Sequence, residues 1–87
     1  MITTLLNDLR DRLSDNGWKV DHRAHWRLEA YHGPHHVTVR ICPNTFLWCA
    51  TYGRVEGIGT RKGWAERRNT EKHDTPESAF DALEVTP

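Results

Sequence analysis

The first segment of the chain carries large apolar side chains at helical spacing. They recur three and four positions apart, which places them on one stripe of an amphipathic helix. The Asn16-Gly17 pair that follows supplies the left-handed residue that commonly ends a helix. We therefore predict a helix over about residues 3–15 that covers a sheet. Its stripe consists of Ile2, Leu5, Leu6, Leu9 and Leu13.

A period of two replaces the helical spacing further along and predicts an antiparallel meander over about residues 25–54. Turns at Gly33-Pro34 and Pro43-Asn44 place the large apolar residues of three strands on one face. The expected core face consists of Trp26, Leu28, Ala30, Val37, Val39, Ile41, Phe46, Trp48 and Ala50.

The two-residue turn assumed for the second hairpin also fixes an expectation for the cysteines. In that register Ile41 faces Phe46, and Cys42 and Cys49 lie about four residues apart along the strands. This offset is roughly 13 Å, beyond the ~7 Å limit between bridged Cα atoms. We therefore expect two reduced thiols and no intramolecular disulfide.

Trp18 and Val20 alternate after the end of the first helix and fit the start of a short strand before the meander.

The last third of the chain is less regular. A Gly-rich basic connection is expected over about residues 55–73. Within it, residues 64–72 fit either a short helix or a fourth strand. A threonine cap and a first-turn proline then predict a helix over about residues 76–84.

These elements predict a single α+β domain over residues 1–87 in the order α-β-β-β-α. A three-stranded or four-stranded antiparallel meander carries the N- and C-terminal helices on one face. The third strand is a candidate pairing edge, which leaves the oligomeric state open.

Charge narrows the class of partner. The 87 residues carry 12 basic and 12 acidic side chains, a formal net charge of zero, unlike strongly basic nucleic-acid-binding chains. The basic side chains nevertheless outnumber the acidic ones by six to three over residues 54–73.

No apolar run approaches the ~20 residues of a membrane span, so a cytoplasmic location without membrane contact is expected.

The polar face of the meander is rich in functional groups, and Arg27, Tyr31, His36 and Arg40 are candidate binding residues on it. Arg27 and Arg40 fall directly opposite each other, an unfavourable pairing of like charges that an anion would relieve. Glu29 lies diagonal to Arg40 and is the alternative source of that relief. The face is therefore either solvated with an internal ion pair or a site for phosphate or carboxylate groups.

A second candidate binding segment lies between glycines in the basic connection. Thr60, Arg61 and Lys62 provide a hydroxyl and two cations, which suit a phosphate backbone. The segment lacks the Gly-Lys-Ser/Thr order of a P-loop, and a mobile basic loop is the alternative.

Metal, cofactor and catalytic sites find little support in the sequence. His25 and Cys42 face each other across one strand pair, but two ligands do not make a zinc site. His32, His35 and His36 crowd one turn and are interpreted as a polar hairpin tip. No cofactor and no metal are expected, and the acidic residues are scattered rather than paired.

The segment Leu5 to Ile41 resembles the HicA toxin family. The resemblance rests on the leucine-striped helix, on Asn16-Gly17-Trp18, on a histidine in the next strand and on Val37-Thr38-Val39. It implies a double-stranded-RNA-binding-like fold and a ribonuclease activity with His25 as the catalytic histidine. In the family this histidine follows a Gly and a Ser or Thr, whereas here it follows Arg23-Ala24.

The sequence therefore predicts a non-enzymatic binding or regulatory module that acts on a protein partner or a nucleic-acid backbone. The alternative is a HicA-like ribonuclease toxin that uses His25 as its acid and base.

Overall fold

The computed structural model of the protein describes residues 2–24, 26–42, 45–56 and 63–85, without the side chains of residues 2–5, 23, 56, 64 and 65. These ranges contain helices α1 (Ile2–Asp15) and α2 (Pro76–Asp81) and strands β1 (Lys19–Ala24), β2 (Arg27–His32), β3 (His35–Ile41), β4 (Trp48–Glu56) and β5 (Gly63–His73). The strands form one antiparallel sheet in chain order. No helix within these ranges is both long and apolar enough to cross a membrane.

This architecture confirms the α+β class, the antiparallel sheet and the helix near each end of the chain. The predicted strand count was too low, because the sheet has five strands rather than three or four. Much of the predicted connection over residues 55–73 is strand, since β4 continues to Glu56 and β5 begins at Gly63. Residues 64–72 belong to a strand, and the last helix is shorter than predicted.

Helix α1 packs as its apolar stripe predicts. Leu6, Leu9 and Leu13 are fully buried, whereas the two earlier members of the stripe are among the side chains that are not described. The helix ends at Gly17, whose φ of 89° is left-handed, and the Trp18 amide donates to the Leu13 carbonyl at 3.0 Å. This arrangement is the Schellman ending expected of an Asn-Gly stop.

The first hairpin has the predicted register and the second does not. Leu28 pairs with Val39 as expected, but Val39 pairs with Ala50 rather than with Trp48. The connection between β3 and β4 is longer than two residues, because the Cys42 amide donates to the Leu47 carbonyl at 2.7 Å. The register consequently shifts by two residues, which changes every partner but leaves the side chains within β3 and β4 on their predicted faces.

Two aromatic residues assigned to the core face are exposed instead. Phe46 is 79% exposed and Trp26 is 49% exposed. Phe46 lies in the longer connection with a φ of 57°, and Trp26 precedes the first residue of β2. Trp18 and Trp48 are buried, and Tyr52 on β4 and Phe80 on α2 complete the aromatic part of the core.

The same register shift overturns the expectation for the cysteines. Cys49 pairs with Arg40, which brings it within reach of Cys42 just beyond the end of β3. The two residues form a disulfide with a Cα–Cα distance of 5.9 Å, well inside the range for a bridge. The prediction of two reduced thiols was wrong for this geometric reason.

Helix α2 is held to the sheet by polar contacts as well as apolar ones. Its cap is the predicted one, since the Thr75 hydroxyl accepts from the Ser78 amide at 3.0 Å. The Thr70 hydroxyl on β5 donates to the Ala79 carbonyl at 2.7 Å. Buried residues of both helices and of β2, β3 and β4 share one hydrophobic cluster, so both helices lie on the same face of the sheet.

Candidate functional site

The opposite face of the sheet, here called the open face, carries the polar members of the strands. Its side chains alternate along each strand with the buried core residues. The open face consists of Lys19, Asp21, Arg27, Glu29, Tyr31, His36, Thr38, Arg40, Cys49, Thr51, Gly53, Arg67 and Asn69.

Two aromatic rings stand in contact on this face. Tyr31 on β2 pairs directly with His36 on β3. Their rings are parallel, with an angle of 5° between the planes and a centroid distance of 4.7 Å. This distance matches the ~4.8 Å between neighbouring strands, so the rings stand upright side by side in one row across the sheet.

The charge of His36 is set by its surroundings. Burial lowers the pKa of His36 below its ordinary value, and Arg27 acts in the same direction, whereas the Glu29 carboxylate opposes the shift. Burial is the largest of the three causes because it penalises the charged imidazolium. The lowered pKa of His36 favours its uncharged imidazole, which stacks on the Tyr31 ring.

A depression of about 170 Å³ lies beside this pair. It is lined by His36, Thr38, Thr51, Gly53 and Arg67. Gly53 pairs with His36 on one side and with Arg67 on the other, and it contributes no side chain. The depression is consequently bounded by an imidazole, two hydroxyls and a guanidinium, which can stack, donate hydrogen bonds and attract an anion.

The predicted arginine pair is present and is compensated from within the face. Arg27 pairs with Arg40 in the sheet register, and the Arg27 Nη2 donates to a carboxylate oxygen of Glu29 at 2.8 Å. Glu29 is only 8% exposed. The carboxylate thus offsets the charge of Arg27, one member of the predicted arginine pair.

The structure therefore brings together four of the predicted binding residues, Arg27, Tyr31, His36 and Arg40, on one face. The other three, Thr60, Arg61 and Lys62, lie outside the described residues, as does His25. The sequence analysis did not select the remaining residues around the depression as binding residues. Gly53 joins the site only in the observed register, where it replaces Thr51 as the partner of His36, and Arg67 joins the site because β5 is a strand.

The three histidines of the first turn have separate partners. The His32 ring meets Trp18 edge to face with centroids 5.5 Å apart, and His35 Nδ1 lies 2.7 Å from the Tyr52 hydroxyl. His36 stacks on Tyr31. Across the described ranges, no three His, Cys, Asp or Glu side chains are grouped to hold a metal ion.

Comparison of the chain with protein family models, with curated proteins and with solved structures finds no match. The geometry of the open face is therefore the basis for a functional proposal.

Proposed function

We propose that this chain is a non-enzymatic binding module that holds a nucleic-acid strand against its open face. The observation that carries the proposal is the Tyr31–His36 stack beside a depression bounded by threonine hydroxyls and Arg67. Aromatic faces next to basic and hydroxyl-bearing side chains are the usual means of holding single strands. Location in the cytoplasm stays a prediction from the sequence, and the Cys42–Cys49 disulfide counts against it because disulfides are rare in that compartment.

The distribution of charge on the open face supports this ligand. Lys19, Arg40 and Arg67 occupy strands β1, β3 and β5, so cationic side chains are spread across the width of the sheet. Lys19 and Arg67 lie at the two ends of the row that contains Tyr31 and His36, so a phosphate backbone along that row would meet both, whereas Arg40 lies four residues further along β3. The basic segment with Arg61 and Lys62 extends the same prediction beyond the described residues.

Fluorescence anisotropy with a labelled single-stranded RNA tests the proposal. We expect the logarithm of the affinity to fall linearly with the logarithm of the salt concentration. Arg40→Gln and Arg67→Gln should each weaken binding and lower the magnitude of the salt slope by about one. The matched control is Arg10→Gln, which makes the same charge change on α1 and should leave binding unchanged.

The basic segment provides a separate test. The double variant Arg61→Ala, Lys62→Ala should weaken binding by a similar factor for every sequence, because phosphate contacts carry no base specificity. Salt-insensitive capture of a protein, with no affinity for RNA or DNA, would contradict the nucleic-acid proposal and favour the protein partner predicted as the alternative.

The ribonuclease alternative depends on His25 and stays a prediction from the sequence. Expression of the wild-type chain should be toxic in that case, and His25→Ala should abolish the toxicity.

A further inference from the structure

Four residues form one row across four neighbouring strands of the open face. Tyr31 on β2 pairs with His36 on β3, His36 with Gly53 on β4, and Gly53 with Arg67 on β5. The first two positions hold upright parallel rings, and the fourth holds a guanidinium. The third holds no side chain, so the row of flat groups has a gap over Gly53.

The gap is wide enough for one flat ring. His36 and Arg67 are two strands apart, which is about 9.6 Å at ordinary strand spacing. A planar ring in van der Waals contact with both neighbours needs about 7–8 Å, so the gap admits one ring and is too narrow for two.

The volume over Gly53 agrees with this width. The depression has a volume of about 170 Å³, which is more space than a single bound ion requires. Thr38 and Thr51, which pair with each other in the neighbouring row, place hydroxyl groups at its edge. The gap is thus flat, partly polar and lined by a cation on one side.

We propose, building on the function proposed above, that an unpaired base of the bound strand occupies the gap over Gly53. The base stacks on the His36 ring, lies under the Arg67 guanidinium and receives hydrogen bonds from the Thr38 and Thr51 hydroxyls. A base within a duplex is already stacked and paired, so this gap selects single strands over double strands.

Filling the gap with a side chain is the direct test. Gly53→Thr should reduce the affinity for a single-stranded RNA by between about fivefold and 150-fold, the usual effect of losing one stacked base. Threonine is favoured over glycine inside strands, but Gly53 is buried, so circular dichroism of the variant has to show a folded protein before its affinity is compared. Gly63→Thr is the matched control, since a Cβ at Gly63 meets nothing within 4 Å, and it should bind like the wild type.

A measurement on the wild-type protein keeps the inference testable if Gly53→Thr does not fold by circular dichroism. A strand that contains 2-aminopurine should lose fluorescence on binding because the base stacks, and an abasic strand should bind more weakly. An unquenched probe together with equal affinity for the abasic strand would overturn the inference.

The outcomes separate this inference from the function on which it rests. Salt-dependent binding of single strands that a folded Gly53→Thr retains in full would overturn the gap and leave the binding function intact. Duplexes that bind as tightly as single strands would also overturn the gap and leave the binding function intact. A wild-type protein that binds neither form would overturn both proposals.

Discussion

The guanidinium of Arg68 lies over the ring of Tyr52, 4.7 Å from the ring centroid. The Arg68 Nη1 also donates to the Leu83 carbonyl at 2.7 Å. One side chain on β5 therefore contacts β4 and the residues that follow α2. Its neighbour Arg67 lies on the open face instead, so the two adjacent arginines lie on opposite faces of the sheet.

Arg68→Met should lower the free energy of unfolding by about 1–2 kcal/mol, because the substitution removes a charged hydrogen bond and a cation–π contact. Arg67→Met makes the same chemical change on the open face, where a smaller loss is expected because the Arg67 side chain is exposed. Urea denaturation of both variants measures the difference. Equal losses in the two variants would contradict the assignment of Arg68 to the helix-bearing face.

Phe46 and Trp48 give a test of the second hairpin. Trp48→Ala should cost about 3–5 kcal/mol because the indole is buried, whereas Phe46→Ser should change stability by about 0.5 kcal/mol or less because the ring is exposed. If the second hairpin had the two-residue turn predicted from the sequence, both rings would lie on the core face and both substitutions would lower the free energy of unfolding severely. Thermal or urea unfolding distinguishes the two registers.

The Cys42–Cys49 disulfide should contribute about 2.5 kcal/mol, the loop-closure value for eight residues. Dithiothreitol should therefore lower the melting temperature, and thiol titration of the unreduced, unfolded protein should find no free thiol. The double variant Cys42→Ser, Cys49→Ser is the control and should not respond to dithiothreitol. Two free thiols in the untreated protein would show that the bridge is absent.

The pKa of His36 gives the direction of a pH effect. Because burial lowers this pKa below its ordinary value of 6.5, the unfolded chain binds the proton more readily than the folded chain does. The contribution of His36 to stability is therefore full above pH 6.5 and declines as the pH falls towards the lowered value.

The melting temperature of His36→Phe should accordingly fall less than that of the wild type between pH 7.5 and pH 5. An NMR titration in which the His36 imidazole protonates above pH 6.5 would contradict this direction.

Local chemistry explains why some elements could be predicted. The left-handed residue at Gly17 and the cap at Thr75 act within a few residues of chain, so their effects are readable without the fold. The first hairpin was predictable as well, since its turn and its alternating apolar residues specify one register. The edge strands were harder to predict from the sequence. The alternating polar residues of β5 can be assigned to the two faces of a strand only when the contacts of α2 and the following residues with one of those faces are known.

The candidate site was predictable in part for the same reason. Tyr31 and His36 belong to the first hairpin, and their pairing follows from its register. The gap over Gly53 depends on the second register, which the length of the connection after Cys42 decides. A shift of two residues keeps the faces unchanged, so the burial pattern alone could not reveal the error.

The polar contacts between β5 and α2 have a consequence for the dynamics of the molecule. A helix of six residues is too short to persist alone, and this one is held by hydrogen bonds between Thr70 and the Ala79 carbonyl and between His73 and the Ser78 hydroxyl. Strand and helix should therefore open as one cooperative unit, with amide hydrogens that exchange at a common rate. The last quarter of the described chain would then be a single foldon.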